Sequence, residues 1–131
     1  MEQRRTFIDT PIARILPAAW VMATIWWLSD RETLPKPPGL TAEIWSYAGH
    51  IGMFGLLGLA IWWALGMNTR LLDRERSWYA IGIATAYGVL DEFHQSFVPG
   101  RDTSAFDVLA DFIGATLAVM IVPRLYRRWF E

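Results

Sequence analysis

Four apolar stretches alternate with short polar segments along this chain of 131 residues. A helix needs roughly 20 predominantly apolar residues to cross the hydrocarbon core of a bilayer. Lipid also admits few other structures, because every backbone polar group must find a partner within the protein. The pattern therefore predicts four transmembrane helices, approximately at residues 11–28, 43–67, 78–96 and 104–123.

The segments between the stretches contain residues that helix interiors reject. Pro35, Pro37, Pro38 and Gly39 break the chain after the first stretch, and Pro99-Gly100 predicts a tight turn before the fourth. The connections are short, which favours antiparallel neighbours. We predict an all-α membrane protein, a four-helix bundle in which residues 1–131 form a single transmembrane domain.

Basic residues are distributed unequally between the two sides that this topology defines. Three of the twelve Lys and Arg residues fall on one side, namely Arg31, Lys36 and Arg101. The other nine fall on the opposite side: Arg4, Arg5, Arg14, Arg70, Arg74, Arg76, Arg124, Arg127 and Arg128. Loops rich in Lys and Arg stay in the cytoplasm, so both termini are predicted to be cytoplasmic.

Composition removes several classes of function. The chain has no Cys, which excludes disulfides, thiolate catalysis and cysteine-based zinc sites. Its net charge of −1 gives no indication of nucleic-acid binding. No zinc-protease, phosphate-loop or nucleophile motif occurs, and we predict neither a resident metal nor a cofactor.

Small residues recur along the second stretch, where Gly49, Gly52, Gly55 and Gly58 are spaced by three. Lipid gives no hydrophobic drive for helix association, so close packing across small residues replaces it. The spacing predicts a smooth contact ridge, although glycine is also simply common in membrane helices.

Ionisable residues gather at one level of three helices. At 1.5 Å per residue, His50 and Asp111 each lie roughly 10 Å inside their helices, and Asp91 lies about 6 to 8 Å inside the third. Charged groups at such depth are costly and mark functional sites by default. The sequence therefore predicts a polar site just below the outer surface.

Helical spacing assigns these residues to faces. Asp107 and Asp111 are four apart and share one face, while Asp91, His94 and Gln95 share another. Glu92 points about 100° away from Asp91, which favours a solvated or interfacial position. Arg101 lies in the turn between the third and fourth predicted helices, near the carboxylates of both. We expect it to bridge Asp91 or Asp107.

Each of these residues also has a structural interpretation. Asp107, three residues after Ser104, fits a helix cap, and Asp111 fits a buried ion pair. His50 fits an interhelical hydrogen bond, and Arg101 fits a structural clamp. Gln95 fits a group that satisfies free carbonyls at a helix end.

The segment D-E-F-H-Q-S-F-V-P-G-R-D-T-S-A-F-D, followed by Asp111 and a glycine, resembles the signature of the VanZ-like family of small bacterial membrane proteins. Direct matches are Asp91, Glu92, Gln95, Gly100, Arg101, Asp107 and Gly114. His50 matches the family histidine in the second helix. Three positions depart from the pattern: Asp111 replaces a common Asn, Tyr47 a Lys and Phe54 a Tyr.

This resemblance implies a four-helix, multi-pass protein of the bacterial inner membrane. A member of the family is linked to low-level resistance to teicoplanin, a glycopeptide antibiotic that acts on cell-wall precursors. On that basis we expect a cell-envelope protein with a polar outer-leaflet pocket. The expected partners are membrane lipids and a lipid-linked cell-wall precursor, a lipid headgroup or a glycopeptide. The predicted ligand-binding residues are His50, Asp91, Glu92, Gln95, Arg101, Asp107 and Asp111.

Two other classes of function remain open at this stage. The first is a membrane enzyme that uses the same carboxylates and histidines as acid–base groups or metal ligands, acting on a phospholipid or polyprenyl phosphate. The second is a structural or assembly partner whose polar cluster only fastens the helix ends. Replacing Asp111 with Asn separates the classes, since a structural role alters stability and a site role alters activity in stable protein.

Overall fold

The fold is entirely helical. A computed structural model describes residues 10–130, and no strand occurs among them. The predicted all-α class is confirmed for this part of the chain, whereas Arg4 and Arg5 lie outside it. The four helices, numbered in chain order, are α1 (Pro11–Ser29), α2 (Ala42–Asn68), α3 (Asp73–Gln95) and α4 (Ala105–Phe130).

Threonine caps start the first two helices. Thr10 precedes α1 and its hydroxyl accepts a hydrogen bond from the Ala13 N–H at 3.3 Å, while Thr41 caps α2 in the same way. Such caps satisfy N–H groups that have no partner inside the helix. The proline-rich segment between these helices is irregular, and Gly39 adopts a positive φ of 85° there. The loop is therefore built as the prolines indicate.

The last two helices extend beyond the predicted apolar stretches. α3 begins at Asp73, ahead of residue 78, because the Leu72 N–H donates to the Glu75 carboxylate at 3.0 Å. Acidic groups in a first turn also suit the helix dipole. α4 continues through Pro123 to Phe130, with the Arg124 guanidinium donating to the Met120 carbonyl. Both extensions are polar, so apolar periodicity did not reveal them.

Contacts at the helix ends show that successive helices run antiparallel. Arg14 near the start of α1 donates to the Met67 carbonyl at the end of α2. At the opposite end, Gln95 of α3 donates to Ser29 of α1. One end, here called the acidic end, thus holds Asp91, Glu92, Asp107 and Asp111. The other, the basic end, holds Arg14, Arg76, Arg124 and Arg127.

The interior is small and apolar, and so is much of the outside. Phe54, Leu57 and Ile81 are almost fully buried among the helices. Trp20 and Phe93, by contrast, leave 70% and 66% of their surface exposed. Large apolar patches are rare on water-soluble monomers and mark interaction or membrane surfaces. The outward apolar surface is what a lipid-facing bundle requires.

Three helices are long and apolar enough to cross a membrane, namely α1, α2 and α4. α3 does not reach that hydropathy, since Asp73 and Glu75 open it and Asp91 and Glu92 close it. Only residues 77–90 separate these charged groups, about 21 Å of helix at 1.5 Å per residue. α3 is therefore the least apolar of the four helices.

Half of the glycine ridge forms a helix contact. A Cβ on Gly55 would lie 3.2 Å from the Gly114 carbonyl, and one on Gly58 would lie 3.2 Å from Ala115. Gly49 and Gly52 face open space instead. The ridge therefore serves the α2–α4 contact over its second half, and its first two glycines lie away from that contact.

Replacing Gly114 with Ala should destabilise the bundle, because the new Cβ would lie 2.2 Å from the Ile51 carbonyl oxygen. That neighbour is backbone, so the helices must separate. Overpacking of this kind costs about 1–3 kcal/mol. Thermal unfolding in detergent should show a clearly lower Tm. Gly52→Ala is the matched control and should leave Tm unchanged or slightly raised, and equal Tm values for both variants would contradict the close contact.

Candidate ligand-binding site

The deepest polar contact at the acidic end joins α2 to α4. Nδ1 of His50 lies 2.7 Å from Oδ1 of Asp111. Asp111 is completely buried and His50 is 8% exposed. An electrostatic contact is stronger in such a low-dielectric setting than in water, so it fixes the imidazole orientation. The sequence interpretation expected an interhelical contact for each residue without naming the partner, and the structure joins the two to each other.

A missing side chain makes space for this pair. A Cβ on Gly88 of α3 would lie 2.3 Å from Oδ2 of Asp111. That oxygen is buried without a hydrogen-bond partner. Gly88 thus lets the carboxylate sit between α3 and α2, a role that no sequence pattern indicated.

A second polar chain runs across α3. Gln95 is 1% exposed, and its Nε2 donates to Oδ2 of Asp91 at 2.9 Å and to the Ser29 hydroxyl at 3.2 Å. Its Oε1 accepts from the Arg101 guanidinium at 2.8 Å. The amide therefore links a carboxylate on one side to a cation on the other. Its N–H groups thus bond side-chain oxygens instead of the free helix-end carbonyls that were expected.

The expected bridge from Arg101 to Asp91 or Asp107 is wrong. Arg101 donates to the Gln95 amide and, at 3.4 Å, to the Arg31 carbonyl. It forms no ion pair with any carboxylate of residues 10–130. The Gln95 side chain lies between the guanidinium and Asp91, which explains the difference.

Glu92 also differs from expectation, since it is 8% exposed instead of solvated. Its Oε2 accepts from the Ser104 backbone N–H at 2.9 Å, while Oε1 is buried without a partner. The direction 100° away from Asp91 faces the start of α4, not water. Glu92, on α3, therefore binds the backbone of Ser104, the residue just before α4 begins.

Asp107 and His94 lie in different surroundings. The Ser104 hydroxyl accepts from the Phe106 N–H, so the serine performs local capping, and the Asp107 carboxylate is buried at the cavity described below. His94 stacks on Trp26, with ring centroids 3.9 Å apart, and its Nε2 lies 3.5 Å from an Asp30 oxygen. His94 therefore packs on α1 and does not line the cavity that Asp91 and Gln95 line.

A cavity of about 570 Å³ opens at the acidic end. It is lined by all four helices and by the two loops that follow α1 and α3. Five of the predicted site residues line it: His50, Asp91, Gln95, Arg101 and Asp107. Glu92 and Asp111 do not line the cavity but contact residues that do: Glu92 accepts from the Ser104 N–H, and Asp111 pairs with His50. The structure thus brings all seven residues to one region, in two layers.

The charged residues of the lining are mostly acidic, and apolar residues complete it. Its carboxylates are Glu32, Glu43, Asp91, Asp102 and Asp107, and its cations are Lys36 and Arg101. Its apolar wall includes Leu28, Trp45, Met53 and Phe54. Several of these residues come from the α1–α2 loop, and sequence reasoning missed them because no helical period applies to a proline-rich segment. Their charges were the only signal present.

Three side chains of the site have the chemistry and spacing of metal ligands. One ligand atom each from His50, Glu92 and Asp107 lies within 4.8 Å of the others, and all three residues are buried. An imidazole and two carboxylates suit a divalent cation. The same groups also suit proton transfer next to a bound ligand.

Comparison with known proteins identifies the chain. The family model described as VanZ/LLP1 matches residues 3–127. The chain belongs to the VanZ/LLP1 family. Together with the three apolar helices, this membership makes it a membrane protein. No curated protein and no solved structure matches it.

Two departures of this VanZ/LLP1 chain from the signature lie in the cavity wall. Tyr47 and Phe54, which occupy the positions of a Lys and a Tyr in the pattern, both line it. The third departure, Asp111, is the buried partner of His50. The substitutions therefore change the cavity itself, and they make it less cationic.

Replacing Asp111 with Ala should remove the acceptor for His50 and leave a buried polar group unsatisfied, at a cost of about 1–3 kcal/mol. Asp111→Asn keeps an acceptor oxygen of similar size and should lose much less. Thermal unfolding in detergent measures both. Asp102→Ala, which removes an exposed carboxylate at the same end, is the control. A Tm for Asp111→Ala equal to that control would contradict a structural role for the pair.

Proposed function

We propose that this protein binds the phosphate-bearing headgroup of a lipid, such as a lipid-linked cell-wall precursor, in the cavity at its acidic end. The observation that carries the proposal is the state of Arg101. Its guanidinium borders the cavity, is held by two neutral oxygens, and has no carboxylate partner among the described residues. Arginine presents several donors in a planar fork that matches phosphate.

The dimensions of the cavity favour a headgroup. Ligand cavities of roughly 300–1,000 Å³ hold drug-sized molecules, and about 570 Å³ lies in that range. A glycopeptide antibiotic is much larger and would meet only the rim. The apolar residues that line the same cavity as Arg101 would accept the upper part of a lipid chain. A headgroup therefore fits better than the antibiotic itself.

The proposal includes the way the protein lies in the membrane. α3 would be the fourth crossing, with its polar residues covered by the other helices, and both termini would be cytoplasmic. The support is the concentration of Arg residues at the basic end, which the positive-inside rule assigns to the cytoplasm. The cavity would then open toward the outer leaflet of the bacterial inner membrane. Sequestering a surface-exposed precursor there would contribute to resistance to teicoplanin.

A second candidate is an enzyme that acts on the same phosphate-bearing lipids. The His50–Asp111 pair favours it, because a carboxylate that orients an imidazole is a common arrangement in acid–base catalysis. Phosphate release from lipid by purified protein distinguishes the two candidates. Release that disappears in a His50→Gln variant would favour the enzyme.

The topology predicts opposite results for reporters at the two ends of the bundle. Green fluorescent protein fused after Glu131 should fluoresce, and alkaline phosphatase at the same position should be inactive, because the terminus is cytoplasmic. The same reporters inserted within residues 36–40 should give the reverse. Alkaline phosphatase activity at the C-terminus would contradict the proposed orientation.

Arg101→Ala should abolish the protection against teicoplanin that expression of the protein gives a sensitive host, and it should reduce binding of phosphate-bearing lipid to the purified protein. The reason is loss of the cation at the cavity. Arg31→Ala is the matched control, because Arg31 is an exposed cation at the same end that lies over Trp27. Membrane insertion and Tm should match between the variants. Full protection by Arg101→Ala would contradict the proposal.

A further inference from the structure

Three buried side chains, each from a different helix, converge at the acidic end. They are His50 of α2, Glu92 of α3 and Asp107 of α4, and their exposed fractions are 8%, 8% and 6%. One potential ligand atom of each lies within 4.8 Å of the other two. A single ion coordinated by all three would therefore tie three helices together.

Two of these residues are already oriented by a second group. Asp111 holds Nδ1 of His50, which leaves Nε2 as the free ring nitrogen. The Ser104 N–H holds Oε2 of Glu92, which leaves Oε1. Metal ligands are oriented in this way in proteins, with a carboxylate or backbone group on the atom that does not bind the metal.

An unsatisfied atom points independently to a ligand. Oε1 of Glu92 is buried without a hydrogen-bond partner, in a side chain more than nine-tenths buried. A buried carboxylate oxygen normally has a partner, because burial of an unpaired charge is costly. A cation placed between Glu92, His50 and Asp107 would supply one.

The charge of the region leads to the same conclusion. Asp91, Glu92, Asp107 and Asp111 are all buried at this end. Within residues 10–130, Arg101 is the one guanidinium close to them, and the Gln95 amide separates it from Asp91. Like charges in a low-dielectric region repel strongly, so this acidic excess needs compensation. A divalent cation compensates it most directly.

We propose that His50, Glu92 and Asp107 bind one divalent cation of the first transition row, with Zn²⁺ and Mn²⁺ as the fitting ions. The mixed set of one imidazole and two carboxylates favours these ions over Mg²⁺ and Ca²⁺, which prefer all-oxygen ligands. This differs from the expectation of a metal-free site, which rested on the lack of a sequence motif. The three ligands come from three separate helices, so no local spacing in the sequence predicts the metal site.

Three protein ligands leave a coordination position free. His50 and Asp107 both line the cavity, so that position faces the same space as Arg101. Cation and guanidinium together would hold two oxygens of one phosphate, which reconciles an acidic cavity with an anionic ligand. This part of the inference rests on the proposed function, whereas the cation site itself does not.

Metal binding tests the site without any lipid. Purified protein in detergent is stripped with EDTA, dialysed and titrated with Zn²⁺ alone, and metal content is measured by plasma mass spectrometry. We expect about one ion per chain. Asp107→Asn and Glu92→Gln, which keep shape and remove charge, should each lose stoichiometric binding. His94→Gln, on a histidine outside the cavity, should retain it.

Cobalt provides a spectroscopic check on the ligands. Co²⁺ bound to the stripped protein should show visible absorption bands that disappear in His50→Gln and persist in His94→Gln. Size-exclusion profiles and Tm identify any variant that fails to fold, and the remaining ligand variants then decide. The site would be overturned if Zn²⁺ and Co²⁺ failed to bind the unmutated protein. It would also be overturned if they bound every folded ligand variant with unchanged stoichiometry.

Combining the two assays separates this site from the proposed function. Arg101→Ala should keep the metal and lose phosphate-bearing lipid. Metal-dependent lipid binding by the unmutated protein supports both proposals. Arg101-dependent lipid binding by metal-free protein overturns the shared coordination of the phosphate, and an unmutated protein that binds lipid but no metal overturns the cation site alone. Stoichiometric metal without lipid binding overturns the proposed function alone.

Discussion

Burying carboxylates between apolar helices is the constraint that shapes this protein. Asp111 is completely buried, and it is tolerated there because His50 reaches it from the facing helix. That contact requires the helices to approach closely, which Gly114 permits against the Ile51 backbone. Gly88 then leaves room for the carboxylate itself. Close packing of small residues is thus the condition for the polar site.

The two ends of the bundle use charge differently. At the basic end, Asp73 pairs with Arg76 and Arg127; the Asp73 and Arg127 side chains are 50% and 45% exposed, and that of Arg76 is 15% exposed. Exposed ion pairs of this kind contribute about 0–1 kcal/mol. At the acidic end, the charged groups are buried and several oxygens have no partner. The basic end also has buried unpaired atoms, Nε of Arg14 and Nε of Arg76, but among residues 10–130 it is at the acidic end that buried carboxylates and a histidine lie close together.

Helix number, class and the level of the polar groups followed from the sequence, because apolar length and rise per residue are local properties. The similar depth of His50 and Asp111 followed for the same reason, but their pairing did not, because it depends on how α2 lies against α4. The directions of Glu92 and Arg101 did not follow either, since they depend on how α3 lies against α4 and on the amide of Gln95. The contribution of the α1–α2 loop to the cavity was equally out of reach, because irregular backbone has no period.

The low hydropathy of α3 has a consequence for how the protein is made. Its charge-free stretch spans about 21 Å, short of the roughly 30 Å hydrocarbon core. A segment of this kind partitions poorly on its own, because Asp91 and Glu92 would meet lipid. α2 and α4 supply the cover that it lacks. In the proposed topology, α3 would therefore enter the bilayer together with a neighbouring helix, as a hairpin, and not as a single span.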